Sequence, residues 1–461
     1  MLILSEAQVR QCLSIENCLA ANRIALGALR SPSHKKKKKL AGNAIPIVPP
    51  RIMLPRCYQQ QQQQQNNSKT SFLQTPIPID TTLFKPAAFY YGNNDDVNNT
   101  HTPRNDSNDN DAQSEKSISS TGTKYHLSSA SNSASASTST SASASASAML
   151  MGIKVVSVRS KNNSIGKPTV PATITMIDPE TGEVNAVLGA TYLTAARTAA
   201  GSAIATKLCM DSMDHTDTDT DTDTCCTDND TSCTDTTDNE PTRNSNKVLV
   251  HQHGKHLVVF GAGLQAELHI RSIHHILPGQ IHKVTIVNRT KPRAEHLHQL
   301  LSNDPDTRNL EYHLATLDNK HVLKHIVEHA DIIVTAINCS DPLFDWRWVR
   351  RDSHCHINGV GSYLSSSEEV ECTFVRDHCL TIADTMEALD VGDLKYIHED
   401  SDCFVGLLGD LLEGGAAIDG AKRQSKCTFF KSVGTAIQDI MTADDVVKTA
   451  TRLGIGTNVE I

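Results

Sequence analysis

Apolar positions follow two rhythms along this chain. In SEAQVRQCLSIENCLAANRIALGALR, Val9, Leu13, Leu19, Ile24 and Leu26 form an approximate helical face. Ser5 and Gln8 there have the spacing of a capping box, so the pattern predicts a helix. IPIVPPRIMLP reads as extended chain broken by prolines. MGIKVVSVRS, rich in β-branched residues, reads as a strand. In PATITMIDPETGEVNAVLGATYL two strand-like runs flank the turn signal Asp178-Pro179-Glu180-Thr181-Gly182, which predicts a hairpin. TAARTAAGSAIATKLC is predicted as a small-residue helix capped by Thr194, its alanines implying close packing against another element.

From His256 the rhythm changes to alternating strands and helices. LVVFGAG is a buried strand entering a glycine turn, LQAELHIRSIHHIL a helix ended by Pro278-Gly279, KVTIVNRT the next strand and PRAEHLHQLLS the next helix. HVLKHIVEHA and DIIVTAI repeat the step, and HINGVGSY and CLTIAD are further strands. This βαβ order predicts an α/β fold with a doubly wound parallel sheet. The tail CTFFKSVGTAIQDIMTADDVVKTATRLGIGT reads as one long helical segment ending in glycines.

Composition divides the 461 residues further. Only 38% are hydrophobic and 4% aromatic. The deficit lies in HKKKKK, a glutamine run, an Asn/Asp stretch leading into SASASTSTSASASASA, and DHTDTDTDTDT. These stretches lack the apolar surface to offset chain entropy and are predicted to be disordered. They cover roughly 130 residues and leave about 330, enough for two domains. No apolar run approaches the ~18 residues of a membrane span. The N-terminus opens on the helix pattern rather than a charged and then apolar leader, so no signal peptide is expected. The net charge of −9 owes much to the Asp repeats and gives no general nucleic-acid footprint. Lys35–Lys39 reads first as a solvated basic loop, with a localisation signal or the binding of acidic surfaces as the alternatives. Thirteen cysteines without C-x-x-C spacing fit a reducing compartment, the cytoplasm, rather than a disulfide framework. Cys225, Cys226 and Cys233 match no zinc spacing, and no metal is expected.

VVFGAGLQA places Gly261, Gly263 and Ala266 in a G-x-G-x-x-A turn between strand and helix. Glycine there permits a tight turn and close approach of a pyrophosphate, and the helix N-terminus stabilises its charge. An NAD site usually carries an acid about 20 residues further on. The position 22 residues after Ala266 is instead Asn288, followed by Arg289 and Thr290. No carboxylate repels a 2′-phosphate there, Arg289 offers a guanidinium to pair with one, and Asn288 and Thr290 offer donors, so NADP is expected over NAD. The alternative for Arg289 is an exposed strand end. His354-Cys355-His356 puts two histidines on one strand face, an ordinary strand edge rather than a metal pair in the absence of a third ligand. His269 is expected to pack or hydrogen-bond.

LSEAQVRQCLSIENCLAA, the PPR around Arg51, GIKVVSV, LTAARTAAGSAIATK, VVFGAGLQAELH, VNRT, HINGVGSY and FFKSVGTAIQD together resemble the ornithine cyclodeaminase/μ-crystallin family, over nearly the whole chain outside the inserts. The resemblance implies a homodimer of two-domain subunits acting on a small imino or amino acid. A smaller α+β substrate and dimerisation domain would span 1–195, with disordered inserts at about 31–43, 57–78 and 91–148, and be completed by a C-terminal helix at 431–461. A Rossmann domain would span 196–430, with an insert at about 210–247. It implies substrate contacts from Arg51, Lys154, Arg197 and Tyr363, with Lys154 and Arg197 catalytic. It implies cofactor contacts from Arg197, Gly261, Ala262, Gly263, Leu264, Gln265, Ala266, Asn288, Arg289, Thr290, Thr335, Ala336, Ile337 and Val433. A guanidinium binds carboxylate bidentately, and a buried lysine supplies a point charge or a proton. The plainer alternatives are a junction ion pair for Arg197, a solvent-facing strand lysine for Lys154 and a loop arginine for Arg51.

Two departures from the family pattern stand out. Where its cyclodeaminases carry an aspartate after the glycines, this chain has Tyr363, preceded by Ser362. With a side-chain pKa near 10, tyrosine is a poor general base at neutral pH. TTLFKPAAF resembles the segment that brings an apolar residue to the pocket, but it carries Lys85. The leading expectation is therefore NADPH-dependent reduction of a small carboxylate-bearing, possibly cyclic, ketimine. Ornithine cyclodeamination, which releases ammonia, and a non-catalytic ligand-binding protein of crystallin type are the alternatives.

Overall fold

The computed structural model describes residues 1–29, 43–47, 52–55, 81–92, 148–214, 254–414 and 427–460. Arg51, the lysine run, the glutamine run, the Asn/Asp/Ser and Asp/Thr stretches, and Cys225, Cys226 and Cys233 lie outside the described residues.

Two sheets of eight strands each form among the described residues. The first combines β1 (Leu2–Leu4), β2 (Asn43–Ile47), β3 (Ile52–Pro55), β4 (Thr81–Gly92), β5 (Ala148–Val158), β6 (Ala172–Ile177), β7 (Val184–Gly189) and β16 (Thr457–Asn458). Its order is β16-β1-β7-β6-β5-β4-β2, with β3 also on β4. The β6–β7 hairpin turns where expected. The Asp178 carboxylate accepts from the Glu180 and Thr181 amides at 2.9 and 3.0 Å, and Gly182 takes φ +76°.

The N-terminal segment is two helices, not one. In α1 (Glu6–Cys12) the Ser5–Gln8 capping box is present. Leu13 is then extended, and the Ser14 side chain accepts from the Asn17 amide to start α2 (Ile15–Gly27). A second N-cap within an apolar stripe breaks the helix without breaking its periodicity. Helix α3 (Thr191–Asp214) begins three residues before Thr194. Thr194 is no cap, because its hydroxyl donates back to the Ala190 carbonyl at 2.7 Å. The Glu6 carboxylate caps α3 from α1, accepting from the Thr191 and Tyr192 amides at 2.6 and 3.1 Å. Ala195, Ala199, Ala200 and Ala203 are buried, and α3 packs closely against α4 (Leu264–Ile276) as its alanines imply.

The second sheet runs β10-β9-β8-β11-β12-β15-β13-β14, and every pairing in it is parallel. Its strands are β8 (Lys255–Phe260), β9 (Ile281–Asn288), β10 (Glu311–Thr316), β11 (Ile332–Thr335), β12 (Cys355–Gly359), β13 (Leu380–Ala383), β14 (Phe404–Leu407) and β15 (Cys427–Lys431). Helices α4, α5 (Lys291–Ser302), α6 (Lys320–Glu328), α7 (Cys372–His378) and α8 (Leu408–Gly414) alternate with them, giving the doubly wound α/β architecture. The order reverses between β8 and β11, so the glycine turn after β8 opens at the switch point.

The tail departs from the single helix expected. Cys427–Lys431 is a fully buried interior strand, and α9 (Ala436–Leu453) begins only after Thr435, which forms a capping box with Gln438. A short, continuous apolar run has no period that separates strand from helix. His354 and His356 do not lie on an edge, because β12 sits between β11 and β15. Both rings meet the Thr428 hydroxyl, at 3.0 and 2.8 Å. Among the described residues no helix is long and apolar enough to cross a membrane.

Candidate active site

The dinucleotide turn has the geometry its residues require. Gly261 holds φ +122°, and a Cβ there would lie 3.1 Å from the Ala336 carbonyl oxygen. Gly263, the N-cap of α4, faces open space with no side-chain cap, so the first amides of the helix are left to a ligand. Ala262, Leu264 and Ala266 complete the turn, and the Gln265 Oε1 is buried with no hydrogen-bond partner among the described residues. A glycine cradle and uncapped helix amides fit a pyrophosphate-bearing nucleotide. At the end of β9 the Asn288 amide donates to the Thr290 carbonyl and hydroxyl at 2.8 and 3.1 Å, and Arg289 stands exposed. His269 is buried and structural, its Nδ1 on the Gln265 carbonyl at 2.7 Å and its Nε2 on the Ser202 hydroxyl at 3.0 Å.

The C-terminal ends of β11 and β12 are tied by one carboxylate. Glu369 is buried and accepts from the Thr335 hydroxyl (2.9 Å) and the amides of Ile337 (2.6 Å), Gly361 (2.6 Å) and Ser362 (3.1 Å). Burial and the Asp393 charge push its carboxyl up to about 7, against these donors and Lys431. Asp393 accepts from the Ser362 hydroxyl, from Lys431 Nζ at 3.1 Å, and from the Glu369 and Val370 amides. Tyr363 follows this brace, and its hydroxyl accepts from the Asn338 amide at 2.9 Å.

A second charge cluster forms where β15 hands the chain to α9. Lys154 on β5 donates to the Asp439 Oδ1 at 2.7 Å, and Arg197 on α3 donates through Nε to the same oxygen at 2.8 Å. Lys154 and Asp439 are fully buried. Burial alone would raise the Asp439 carboxyl, but the Arg197, Lys154 and Lys85 cations outweigh it and hold it below the usual carboxylate range. Lys85 on β4 donates to the Gly434 and Val433 carbonyls at 3.3 and 3.5 Å. Gly434 holds φ +73°, and a Cβ there would run into the Arg197 guanidinium. The loop is anchored from the other side by Asp384, whose Oδ2 accepts from the Val433 and Gly434 amides and the Ser432 hydroxyl.

Lys154 is thus not a solvent-facing strand lysine, and Arg197 does make a junction ion pair. Asp439, which joins them, was given no role by sequence reasoning although it closes the FFKSVGTAIQD stretch. Asp384, Asp393 and Glu369 carried no signal either, because their partners come from other strand ends.

A Rossmann sheet with a dinucleotide turn at its switch point, together with the buried Lys154–Arg197–Asp439 cluster, fits an NAD(P)-dependent oxidoreductase. The chain belongs to the ornithine cyclodeaminase/mu-crystallin family, whose model matches residues 120–213 and 244–452. It is 32% identical over 330 residues to an uncharacterized cyclodeaminase of Dictyostelium discoideum, covering 68% of this chain and 78% of that one. It is 27% identical over 317 residues to a Delta(1)-pyrroline-2-carboxylate reductase of Bacillus cereus, covering 67% and 80%. The ketimine reductase mu-crystallin of Mus musculus is 26% identical over 294 residues, covering 63% and 73%. The fold matches the Thermococcus litoralis Delta(1)-pyrroline-2-carboxylate reductase solved with NADH and L-proline, with a TM-score of 0.61 at 20% identity over 100% of both chains. It also matches an archaeal alanine dehydrogenase dimer with bound NAD, with a TM-score of 0.60 at 17% identity over 100% of this chain and 99% of that one.

Proposed function

We propose that the protein is an NADP-dependent reductase acting on the C=N bond of a small, carboxylate-bearing ketimine. The observation that carries this reading is topological. Gly261, Thr335, Gly359 and Lys431 all end or follow parallel strands at one edge of the sheet, and the connection from Lys431 to α9 brings the Lys154–Arg197–Asp439 cluster to that same edge. Ligands of doubly wound sheets bind there.

In this reading the nucleotide, when bound, supplies hydride to the imine carbon. Asp439 occupies Nε of Arg197 and so turns the outer edge of the guanidinium, Nη1 and Nη2, toward the substrate carboxylate. Lys154, held by Asp439, or a water polarises the imine nitrogen and gives it a proton. Asn288, Arg289 and Thr290 take the 2′-phosphate, and Thr335, Ala336, Ile337 and Val433 line the nicotinamide side. The sheet that runs from β16 to β2, with α9, forms the substrate and dimerisation unit of a homodimer. Tyr363 lines the pocket without acting as a base, which disfavours ornithine cyclodeamination.

The test is nicotinamide absorbance with purified protein and NADPH against a cyclic ketimine carboxylate, beside ornithine with NAD(P)+. Ketimine-dependent NADPH oxidation is expected, with no proline or ammonia from ornithine. Arg197→Ala should lower kcat/KM by about 10²-fold, as a charge-assisted carboxylate contact of about 3 kcal/mol is lost. Conversion of ornithine to proline with stoichiometric ammonia, or undiminished ketimine reduction by Arg197→Ala, refutes the reading.

A further inference from the structure

We propose that Glu369, as a carboxylate, is a positioning residue for the nicotinamide: it holds the loops after β11 and β12 in the shape the ring requires. This inference rests on the nicotinamide placement proposed above. Four donors converge on its two oxygens. The Ile337 amide meets Oε1 at 2.6 Å, and the Thr335 hydroxyl and the Gly361 and Ser362 amides meet Oε2 at 2.9, 2.6 and 3.1 Å. Only an ionised carboxylate offers lone pairs to all four. A side-chain amide of the same shape has one oxygen and turns its own N–H groups toward backbone N–H groups, and a protonated carboxyl gives up one acceptor position. Glu369 is fully buried, and a Cβ on Gly361 would run into its carboxylate and the Ile337 carbonyl.

The loops held in this way lie beside the dinucleotide turn. The Ala336 amide donates to the Phe260 carbonyl at 2.9 Å, and the Ala336 carbonyl oxygen lies 3.1 Å from the place of a Cβ on Gly261. The Val360 amide donates to the Thr335 carbonyl at 3.0 Å, which joins the two loops. Asp393 fixes the Glu369 segment from below. Its Oδ1 accepts from the Glu369 and Val370 amides at 2.8 and 3.1 Å, and its Oδ2 accepts from the Ser362 hydroxyl and from Lys431 Nζ. Lys431 ends β15 and leads into the Val433–Gly434 loop, so one buried network reaches three strand ends of the site. A bound group displaced by about 1 Å loses its alignment, and backbone that lines a site is kept in place by such ties.

The ionised form is held in balance. The titratable groups facing Glu369 are Asp393 from the Gly392–Leu394 turn, Lys431 from β15 and the Cys339 thiol from the loop after β11. Burial and the Asp393 charge oppose the carboxylate, Lys431 and the four donors favour it, and the carboxyl lies at about 7. A nicotinamide that requires the ionised form must drive off a proton below that pH, so its affinity falls as the pH falls.

Titration calorimetry with NADPH and with 2′-phospho-ADP-ribose, which lacks the nicotinamide, separates this role from a general structural one. The ratio of the two affinities cancels the titration of the 2′-phosphate they share. Glu369→Gln is expected to weaken NADPH at least about tenfold more than 2′-phospho-ADP-ribose, the worth of one hydrogen bond to a charged group. In wild type the ratio should move about tenfold against NADPH between pH 8 and pH 6, as the ionised fraction falls by that factor around a value of about 7. In Glu369→Gln it should stay flat. Equal weakening of both ligands, as from a brace of the fold alone, would overturn the proposal, as would a wild-type ratio that does not move with pH. If Glu369→Gln does not fold, Asp393→Asn decides. Without the Asp393 charge the midpoint of the wild-type profile should drop to lower pH, and an unmoved midpoint overturns the proposal. Nicotinamide fluorescence checks the placement separately. If bound NADPH fluoresces as it does in water, the ring is not held in a site, and the placement fails and takes the role of Glu369 with it.

Discussion

Replacing Asp439 with asparagine removes the one carboxylate that joins Lys154 to Arg197 while keeping the shape of the side chain. At an effective dielectric near 20, a contact of 2.7 or 2.8 Å is worth about 6 kcal/mol of gross attraction. Desolvation of the fully buried partners offsets much of that. The measurable loss is governed by what remains, namely a buried ammonium and a buried guanidinium that have lost the Asp439 charge. Breaking such a pair from one side costs about 3–5 kcal/mol. Asp439→Asn should therefore lower the urea unfolding free energy by about that amount in the apo protein. Adding Lys154→Met should recover part of it, because one buried cation disappears and the two effects are not additive. Equilibrium urea titration followed by circular dichroism and by tryptophan fluorescence reads all three proteins. A loss below about 1 kcal/mol, or full additivity in the double variant, would refute the view that Asp439 balances buried charge at this site.

Gly261→Ala should weaken nucleotide binding by about tenfold or more with the fold intact, because a side chain at φ +122° is strained and its Cβ meets the Ala336 carbonyl at 3.1 Å; isothermal titration with NADPH reads the change. Arg289→Asp should reverse or abolish an NADPH preference of at least about tenfold, measured as the ratio of kcat/KM with the two cofactors. Burial pushes the His269 imidazole down to about 4. Its folded value is depressed, so the stability it contributes is present above the unfolded value near 6.5 and lost as pH falls through about 4. Between pH 7 and pH 5 that loss is about 2 kcal/mol, and His269→Gln should flatten this part of the urea stability profile.

The parallel sheet was legible because its signals are local. Each strand reads as a continuous apolar run, each helix follows within a few residues, and Gly261, Gly263 and Ala266 sit where a strand meets a helix. The capping box at Ser5 and the turn at Asp178 were readable for the same reason, since their hydrogen bonds close within three residues. The misread elements are those whose partners are distant. Thr194 looks like a cap, but Glu6 does the capping from another helix. Cys427–Lys431 looks like the start of the last helix, but it is a strand because β12 and β13 flank it. Lys154, Arg197 and Lys85 carry their charge in the sequence. That they converge on Asp439, that Glu369 ties the ends of β11 and β12, and that Asp384 holds the Val433–Gly434 loop were decided only when β15 delivered the chain to α9. A hydrogen bond or an ion pair acts over about 3 Å, and positions more than two hundred residues apart, such as Arg197 and Asp439, come within that range only through the packing of the whole fold.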